Sequence, residues 1–190
     1  RVLFRSRGTL MADVLRVAKR MPAFVAAARL TLVETSPRLR AIQAKTLAGA
    51  PLEPAWAERV EDLPPGPMIA VANEFFDALP IRQFQRANGA WHERVVGLDE
   101  AGDLVFGLAP TALPEIGLAA ELREAEEGAI VEVAPVGVQV MAALARRIAT
   151  AGGALLAIDY GYSGPAIGDT FQAVRAHTHV DPLARPGESD

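Results

Sequence analysis

The chain has 190 residues, of which 51% are hydrophobic and 22% are charged, so it can bury one sizeable core and we expect a single domain. Its net charge of −4 offers no basic surface to nucleic acid or anionic lipid, and no apolar run approaches the roughly 18 residues that a membrane span needs. The absence of cysteine excludes disulfides, thiolate metal sites and a cysteine nucleophile.

The first predicted element is an amphipathic helix over residues 10–18. Gly8 and Thr9 precede it, and Thr9 is the predicted N-cap. A glycine at a helix amino terminus lets the backbone approach a ligand closely, and the helix end attracts anionic or hydroxyl oxygens. These residues therefore predict either a cofactor contact or a plain helix cap.

A buried strand is predicted at Leu30–Val33, and Glu34 closes it. Thr35 or Ser36 is then expected to cap a helix that has Pro37 in its first turn. In nucleotide-binding α/β folds, an acidic residue after the second strand accepts hydrogen bonds from ribose hydroxyls. Glu34 is therefore predicted either to hold a cofactor ribose or to be a solvated glutamate.

Residues 47–67 contain several prolines and predict an irregular cover over one edge of the sheet. The continuous apolar run Met68–Ala72 then predicts a strand that is buried on both faces. Asn73, Glu74 and Asp77 follow this strand, and we expect them to begin a short helix. The polarity of the chain thus changes abruptly at the carboxyl end of the strand.

In the next part of the chain, hydrophobic residues recur with the two-residue period of β-strands. Three antiparallel strands are predicted within residues 81–108, where alternating runs are separated by hairpin signals. A short strand is then expected at Ile130–Val133, followed by a helix from Gly137 onwards. A third buried strand is predicted at Ala154–Ile158. The chain therefore combines a β/α alternation with an inserted antiparallel excursion.

Each predicted buried strand ends beside an acidic group: Glu34, the cluster at residues 73–77, and Asp159. Strands that alternate with helices run parallel, so their carboxyl ends meet at one edge of the sheet. Ligands of open α/β sheets bind outside these ends. The sequence predicts a site at this edge, with Asp159 and the adjacent Tyr160 as candidates for substrate binding.

The chain also resembles a known family. The matching segments are RGTLMADVLR, LVETSPRLRAIQ, ANEFFDALPIRQF, GGALLAIDYGY and DTFQAVRAHTHVDPLARPGESD. They resemble the MidA-like S-adenosylmethionine-dependent methyltransferases, and the likeness runs from Arg7 to the last residue. The resemblance implies a Rossmann-like class I methyltransferase fold, S-adenosyl-L-methionine as cofactor, and a protein substrate methylated on arginine, such as a complex I subunit. It implies a cytoplasmic location in a prokaryote and the mitochondrial matrix in a eukaryote.

The resemblance also implies roles for individual residues. Gly8 corresponds to the last glycine of a cofactor loop and Glu34 to the ribose ligand, with Thr9 and Asn73 beside them. A substrate-region segment is expected at residues 169–190. Its candidate substrate-binding residues are Gln172, Arg175 and His177.

One departure from the family concerns the front of the chain. In the family, an acidic residue and two further glycines stand immediately before the position of Arg7, whereas here residues 2–6 read VLFRS. We therefore expect the first strand and most of the glycine-rich loop to be absent or replaced. On this basis residues 1–190 are expected to form one incomplete methyltransferase domain.

Methyl transfer requires a nucleophile that is held in line with the methyl group, so positioning and electrostatics should supply most of the rate. Glu74 and Asp77 would share one helical face and could hold a guanidinium or balance the sulfonium charge. Our hypothesis places Asn73 and Glu74 nearest the reacting centre, with Asp77 in support. A turn-capping role for Asp77 is the alternative.

Two other functions and a metal site are alternatives for parts of this sequence. An NAD-dependent oxidoreductase would use the acid after strand two in the same way. A catalytically inactive assembly factor would keep the fold without using the cofactor. His177, His179 and Asp181 do not predict a metal site, because alternate side chains of an extended segment leave no third ligand fixed.

Overall fold

The computed structural model describes residues 2–4, 7–113, 120–161 and 166–188. In chain order the elements are β1 (Val2–Phe4), α1 (Thr9–Ala18), α2 (Pro22–Ala27), β2 (Leu30–Val33), α3 (Pro37–Thr46), β3 (Pro54–Ala57), a 3₁₀ turn (Val60–Asp62), β4 (Met68–Asn73), β5 (Arg82–Ala87), β6 (Ala90–Leu98), β7 (Leu104–Ala112), α4 (Ala120–Arg123), β8 (Ile130–Val133), α5 (Pro135–Ala151), β9 (Gly153–Ile158), β10 (Ala173–Arg175) and β11 (Thr178–Val180).

These elements form two compact units. The parallel unit comprises Arg1–Leu79 with Val136–Gly161, and the antiparallel unit comprises Pro80–Pro135 with Tyr162–Asp190. The predicted inserted region and the predicted substrate-region segment both belong to the antiparallel unit.

The parallel unit contains a five-stranded sheet in the order β3-β2-β1-β4-β9, and every neighbouring pair runs parallel. This confirms the predicted parallel α/β architecture. The first strand was expected to be absent or replaced, and it is not absent, because Val2–Phe4 form β1 between β2 and β4. The expectation for the glycine-rich loop concerns residues 5 and 6, which lie outside the described residues.

Residues 47–67 also differ from the prediction. They include β3, which pairs with β2 at the edge of the sheet. The run Pro54–Ala57 lacks the β-branched residues that usually indicate a strand, so nothing local predicts it. The segment does cover the sheet edge as expected, but it does so as a strand.

The core of the parallel unit lies on both faces of its sheet, since neighbouring strand residues point in opposite directions. On one face, Ala70 and Ala72 pack with Leu144 of α5. On the other face, Leu30 and Leu32 pack with Met11 and Leu15 of α1 and with Leu47, which ends α3. Helices on both sides thus hold the strands that carry the predicted site.

The prediction that β4 and β9 are buried on both faces is wrong. Ile69 of β4 is 56% exposed and Leu156 of β9 is 55% exposed, while Ala70 and Ala72 of β4 are almost fully buried. The reason is that β9 is the last strand of the sheet and α5 covers only the face that carries Ala70 and Leu155. A continuous apolar run can therefore mark a strand with one open face.

The antiparallel unit contains a four-stranded sheet in the order β7-β6-β5-β8. The three predicted strands are confirmed, and β8 adds a fourth beside β5. Asn88 and Gly89 join β5 to β6 with φ values of 52° and 75°, as the Asn-Gly hairpin signal predicts. A separate two-stranded hairpin, β10-β11, turns at Ala176 and His177, which have φ values of 50° and 62°.

Candidate functional site

The carboxyl ends of the parallel strands meet at one edge, which we call the carboxyl rim. Leu3 of β1 pairs with Val33 of β2 and with Ala72 of β4. The next positions along these strands are Glu34 and Asn73, two strand spacings or about 10 Å apart. The parallel register therefore brings the acidic residue after β2 and the polar end of β4 to the same rim, as predicted.

Glu34 is the buried acid of the rim, with only 7% of its surface exposed. One carboxylate oxygen, Oε1, accepts a hydrogen bond from the Ser36 backbone N at 2.8 Å. The other, Oε2, accepts from Gln43 Nε2 at 3.4 Å, and the Glu34 backbone carbonyl accepts from Arg40 Nε at 2.7 Å. Glu34 is thus an oriented carboxylate and not the solvated glutamate of the alternative interpretation.

Gln43 of α3 is fully buried, and it was not among the predicted site residues. Its Oε1 accepts a hydrogen bond from Trp56 Nε1 at 2.8 Å, so the predicted packing anchor on β3 also donates a hydrogen bond. A signal was present in the sequence, because Gln43 lies four residues from both Leu39 and Leu47 on the apolar face of the helix. A polar residue on a buried face is expected to have a specific partner.

Gly8 opens α1 in the left-handed region, with φ of 88°, and it is buried. A Cβ atom added there would lie 3.5 Å from Gln43 Cα and 3.6 Å from Gln43 Cγ. The positive φ favours glycine at this position. The predicted N-cap is wrong: Gly8 is the N-cap, and Thr9 is the exposed first residue of the helix.

Residues 74–79 follow β4 as a turn and not as the predicted helix. Glu74 has a φ of 45°, which is unusual for a residue other than glycine, and its N–H donates to Ile158 O at 2.9 Å. Both Glu74 and Asp77 are exposed. The expectation that they share a helical face is therefore wrong, because the chain after β4 does not take helical geometry.

Asp159, at the end of β9, explains this turn. Its Oδ2 accepts hydrogen bonds from three successive backbone N–H groups, those of Phe75 at 3.2 Å, Phe76 at 2.8 Å and Asp77 at 3.4 Å. Its Oδ1 accepts from the Tyr160 backbone N at 3.0 Å. One carboxylate thus satisfies three successive backbone donors of the turn. Substrate contacts by Asp159 and by the highly exposed Tyr160 remain predictions.

The three other predicted substrate residues belong to the antiparallel unit. Gln172 is exposed and lies just before β10. Arg175 ends β10, with its Nη1 at 3.7 Å from Glu188 Oε2. His177 lies in the turn between β10 and β11. The structure thus assigns these residues to one hairpin region.

A polar network in the antiparallel unit was not predicted. Gln83 of β5 is 7% exposed, and its Nε2 donates to Glu132 Oε1 at 2.7 Å and to Asp169 Oδ1 at 2.8 Å. Arg94 of β6 donates to Gln83 Oε1 at 3.0 Å and to Asp169 Oδ2 at 2.6 Å. Glu132 in turn accepts from the backbone N of Thr170 at 2.9 Å and from its hydroxyl. The network attaches residues 169–170 to the sheet.

Asp169 shows how this network acts on a titratable group. Partial burial alone would raise its pKa, but hydrogen bonds from Arg94, Gln83 and the Phe171 backbone N outweigh burial and hold the pKa of Asp169 below its usual value. The Arg94 guanidinium also stacks on the Phe106 ring, 3.6 Å from its centroid. Asp169 and Glu132 are therefore held by partners within this unit.

The described parts of the chain contain no group of three or more His, Cys, Asp or Glu side chains that could bind a metal ion. Among the same residues, no helix combines the length and the apolar character needed to cross a membrane.

The chain is similar in sequence to known proteins. A family model described as "Putative S-adenosyl-L-methionine-dependent methyltransferase" matches residues 6–190. Three similar relatives are named "Protein arginine methyltransferase NDUFAF7, mitochondrial" and come from zebrafish, mouse and human, with 33%, 36% and 35% identity over 97% of this chain. This chain covers 48%, 47% and 46% of their respective lengths, or about half of each.

Solved structures show the same likeness. A crystal structure from Burkholderia thailandensis that is bound to S-adenosyl-homocysteine is 27% identical to this chain, with a TM-score of 0.77. The similarity covers 100% of this chain and 50% of that one. These findings confirm the predicted fold and favour the methyltransferase interpretation over the oxidoreductase. The chain belongs to the family of S-adenosyl-L-methionine-dependent methyltransferases.

Proposed function

We propose that the chain carries the cofactor site and the transfer site of a protein arginine methyltransferase. The observation that supports this most strongly is the buried carboxylate of Glu34 on the carboxyl rim, next to a helix that opens at Gly8 in the left-handed region. Ribose hydroxyls are donors, and an ionised carboxylate is an acceptor of up to about four hydrogen bonds. The residues present therefore fit S-adenosyl-L-methionine.

In this proposal Glu34 binds the ribose, and the glycine at position 8 allows close backbone approach. Ser36 N and Gln43 Nε2 each take up one side of the Glu34 carboxylate, and both oxygens keep lone pairs for further donors. Asn73 lies on the same rim and Thr9 follows Gly8 at the start of α1; in this proposal both complete the cofactor contacts. The carboxylate is held before the ligand arrives, so less conformational entropy is lost on binding.

The cofactor supplies a methyl group on a positively charged sulfur. The chain's own residues hold the substrate: Glu74 and Asp77 are exposed carboxylates on the turn after β4, and they accept charge-assisted hydrogen bonds from a guanidinium. Asn73 lies nearest the reacting centre. As a guanidinium nitrogen bonds to the methyl carbon, the carbon–sulfur bond breaks and its electron pair stays on sulfur. The displaced proton passes to the Glu74 carboxylate.

Asp159 acts on this step through the turn. It binds the backbone N–H groups of residues 75–77 and thereby fixes the positions of Glu74 and Asp77. Glu74 is held with positive φ at the start of the same turn, a conformation that the surrounding hydrogen bonds must stabilise.

The finer part of the proposal concerns the substrate and the compartment. The relatives are named as mitochondrial protein arginine methyltransferases, which supports an arginine on a protein as the acceptor. The family resemblance extends this to a subunit of respiratory complex I, with the mitochondrial matrix as the location in a eukaryote and the cytoplasm in a prokaryote.

A methyl-transfer assay tests the proposal. The chain is incubated with S-adenosyl-L-methionine and arginine-containing peptides, and the products are examined by mass spectrometry. We expect methylation on arginine and none on lysine, with loss of transfer but not of cofactor binding in Glu74→Gln. Cofactor binding without any transfer would contradict the catalytic part and favour a binding or assembly role. Full activity of Glu74→Gln would remove Glu74 from the mechanism.

A further inference from the structure

The buried side-chain amide of Gln43 joins the Glu34 carboxylate to the Trp56 indole. Gln43 donates to Glu34 through Nε2 and accepts from the Trp56 indole through Oε1. Only this orientation of the amide satisfies both partners: turning it over would place its oxygen against the carboxylate and its NH₂ against the indole N–H. Trp56 on β3 therefore determines which end of Gln43 faces the acid.

Gln43 also lies close to Gly8, the second residue proposed to contact the cofactor. Its Cα and Cγ lie 3.5 Å and 3.6 Å from the position that a side chain at Gly8 would occupy. Gln43 is itself fully buried, so it has no freedom to move away from either neighbour. One side chain thus lies against the backbone of Gly8 and against the carboxylate of Glu34.

We propose that Gln43, oriented by Trp56, is a positioning residue for the cofactor ribose. The inference rests on the proposed function, because it assigns a role behind the same site. Ser36 N holds Oε1 and Gln43 holds Oε2, so the plane of the Glu34 carboxylate is fixed by two donors. Without the Gln43 donor, the carboxylate can rotate about its bond to the chain, and binding must then order it again.

We call the hydrogen bonds from Trp56 to Gln43 and from Gln43 to Glu34 the relay. The conservative change Trp56→Phe tests the relay, because it removes the indole N–H and keeps an aromatic ring on β3. The chain offers a matched control: Trp91 in the antiparallel unit is 1% exposed and its Nε1 donates to Leu122 O at 3.0 Å. Both variants lose one indole hydrogen bond. We expect Trp56→Phe to weaken S-adenosyl-homocysteine binding about tenfold. Trp91→Phe should leave the affinity within about twofold.

A second ligand separates positioning from general damage. In 2′,3′-dideoxy S-adenosyl-homocysteine the hydroxyl donors to Glu34 are absent, so the affinity difference between wild type and Trp56→Phe should vanish. Gln43→Met is nearly equal in volume and removes both polar atoms of the relay; it should repeat the pattern if Trp56→Phe does not fold. Urea denaturation with circular dichroism verifies folding of each variant.

The outcomes are distinct. Equal affinity of wild type and folded Trp56→Phe or Gln43→Met for S-adenosyl-homocysteine would overturn the relay and leave the proposed function intact. The relay would also be overturned if Trp56→Phe weakened binding of the dideoxy ligand as much as binding of S-adenosyl-homocysteine. The loss of affinity would then not depend on the hydrogen bonds between the ribose and Glu34. Failure of the folded wild-type chain to bind S-adenosyl-homocysteine would overturn the proposed function and the relay together.

Discussion

Each unit of the molecule contains a buried glutamine that binds acidic side chains, and the two networks differ in what else they contain. Gln43 in the parallel unit joins Glu34 to the Trp56 indole. Gln83 in the antiparallel unit joins Glu132 to Asp169, and it accepts from Arg94. In the second network the Arg94 guanidinium donates to a carboxylate, whereas beside the first network the Arg40 guanidinium donates to the Glu34 backbone carbonyl.

This difference separates a binding group from a structural one. Among the described residues, two neutral donors reach the Glu34 carboxylate, so it keeps acceptor capacity for a ligand. Asp169 instead accepts hydrogen bonds from Arg94, from Gln83 and from the Phe171 backbone N–H. Glu132 accepts hydrogen bonds from Gln83 and from the backbone N–H and the hydroxyl of Thr170. Asp169 is paired with a guanidinium and Glu132 accepts three donors on its two oxygens, so both stabilise the fold, whereas Glu34 accepts one donor on each oxygen and keeps capacity for a ligand.

The largest expected effect comes from removing the acid of the parallel unit. Glu34→Ala should weaken S-adenosyl-homocysteine binding about 100-fold, because charge-assisted hydrogen bonds to the ribose are lost. Isothermal titration calorimetry measures this. Glu132→Gln in the antiparallel unit is the control and should bind as wild type does. Equal losses in both variants would erase the distinction between the two networks.

The second prediction concerns stability of the antiparallel unit. Arg94→Met removes the guanidinium that donates to Asp169 and Gln83, and it should lower the free energy of unfolding by about 2 kcal/mol. This is less than for a fully buried pair, because the Asp169 side chain is 37% exposed. Urea denaturation measures the loss, and the S-adenosyl-homocysteine affinity of the folded variant should not change. A lost affinity with unaltered stability would give Arg94 a ligand-binding role.

The third prediction concerns the turn after β4. Asp159→Asn keeps the shape but weakens the acceptor of three backbone N–H groups, so methyl transfer should fall about tenfold while cofactor affinity changes less than about threefold. Single-turnover kinetics measures the rate. Asp99→Asn is a matched control, since Asp99 Oδ1 accepts from Ala101 N and Asp103 N at 2.9 Å in the antiparallel unit. Equal rates for Asp159→Asn and wild type would remove Asp159 from the site.

The smallest expected effect is a pH dependence of stability. The pKa of Asp169 is lower in the folded chain than its unfolded value of about 3.9, so its contribution is fully present above about pH 4. This stability is lost as the pH falls through the folded pKa. Below about pH 4 the unfolding free energy should therefore fall more steeply for wild type than for Asp169→Asn. Parallel curves in acid denaturation would contradict the assigned shift.

The sequence predicted those parts of the fold that depend on local patterns. Short apolar runs identified β2, β4 and β9, and an acidic or polar residue at each end identified the carboxyl rim. Ser36 was among the two expected caps, and its Oγ accepts from Leu39 N at 3.3 Å. These features are readable because a cap or a strand end is determined by a few neighbouring residues.

The parts that were missed depend on contacts between distant segments. The segment at residues 74–79 was expected to be helical, but it is a turn whose N–H groups bind Asp159, more than 80 residues away along the chain. Gln43 and Gln83 also find partners through tertiary structure, at sequence separations from 9 to 86 residues. Exposure of Leu156 depends on β9 being the last strand of its sheet, which no local pattern reveals.

The central claim is that the carboxyl rim of the parallel unit binds S-adenosyl-L-methionine. The most direct test is a calorimetric titration of the chain with S-adenosyl-homocysteine, with NAD as the control ligand and circular dichroism to verify folding. We predict saturable binding of S-adenosyl-homocysteine and none of NAD. A folded chain that binds NAD in preference, or binds neither ligand, would contradict the claim.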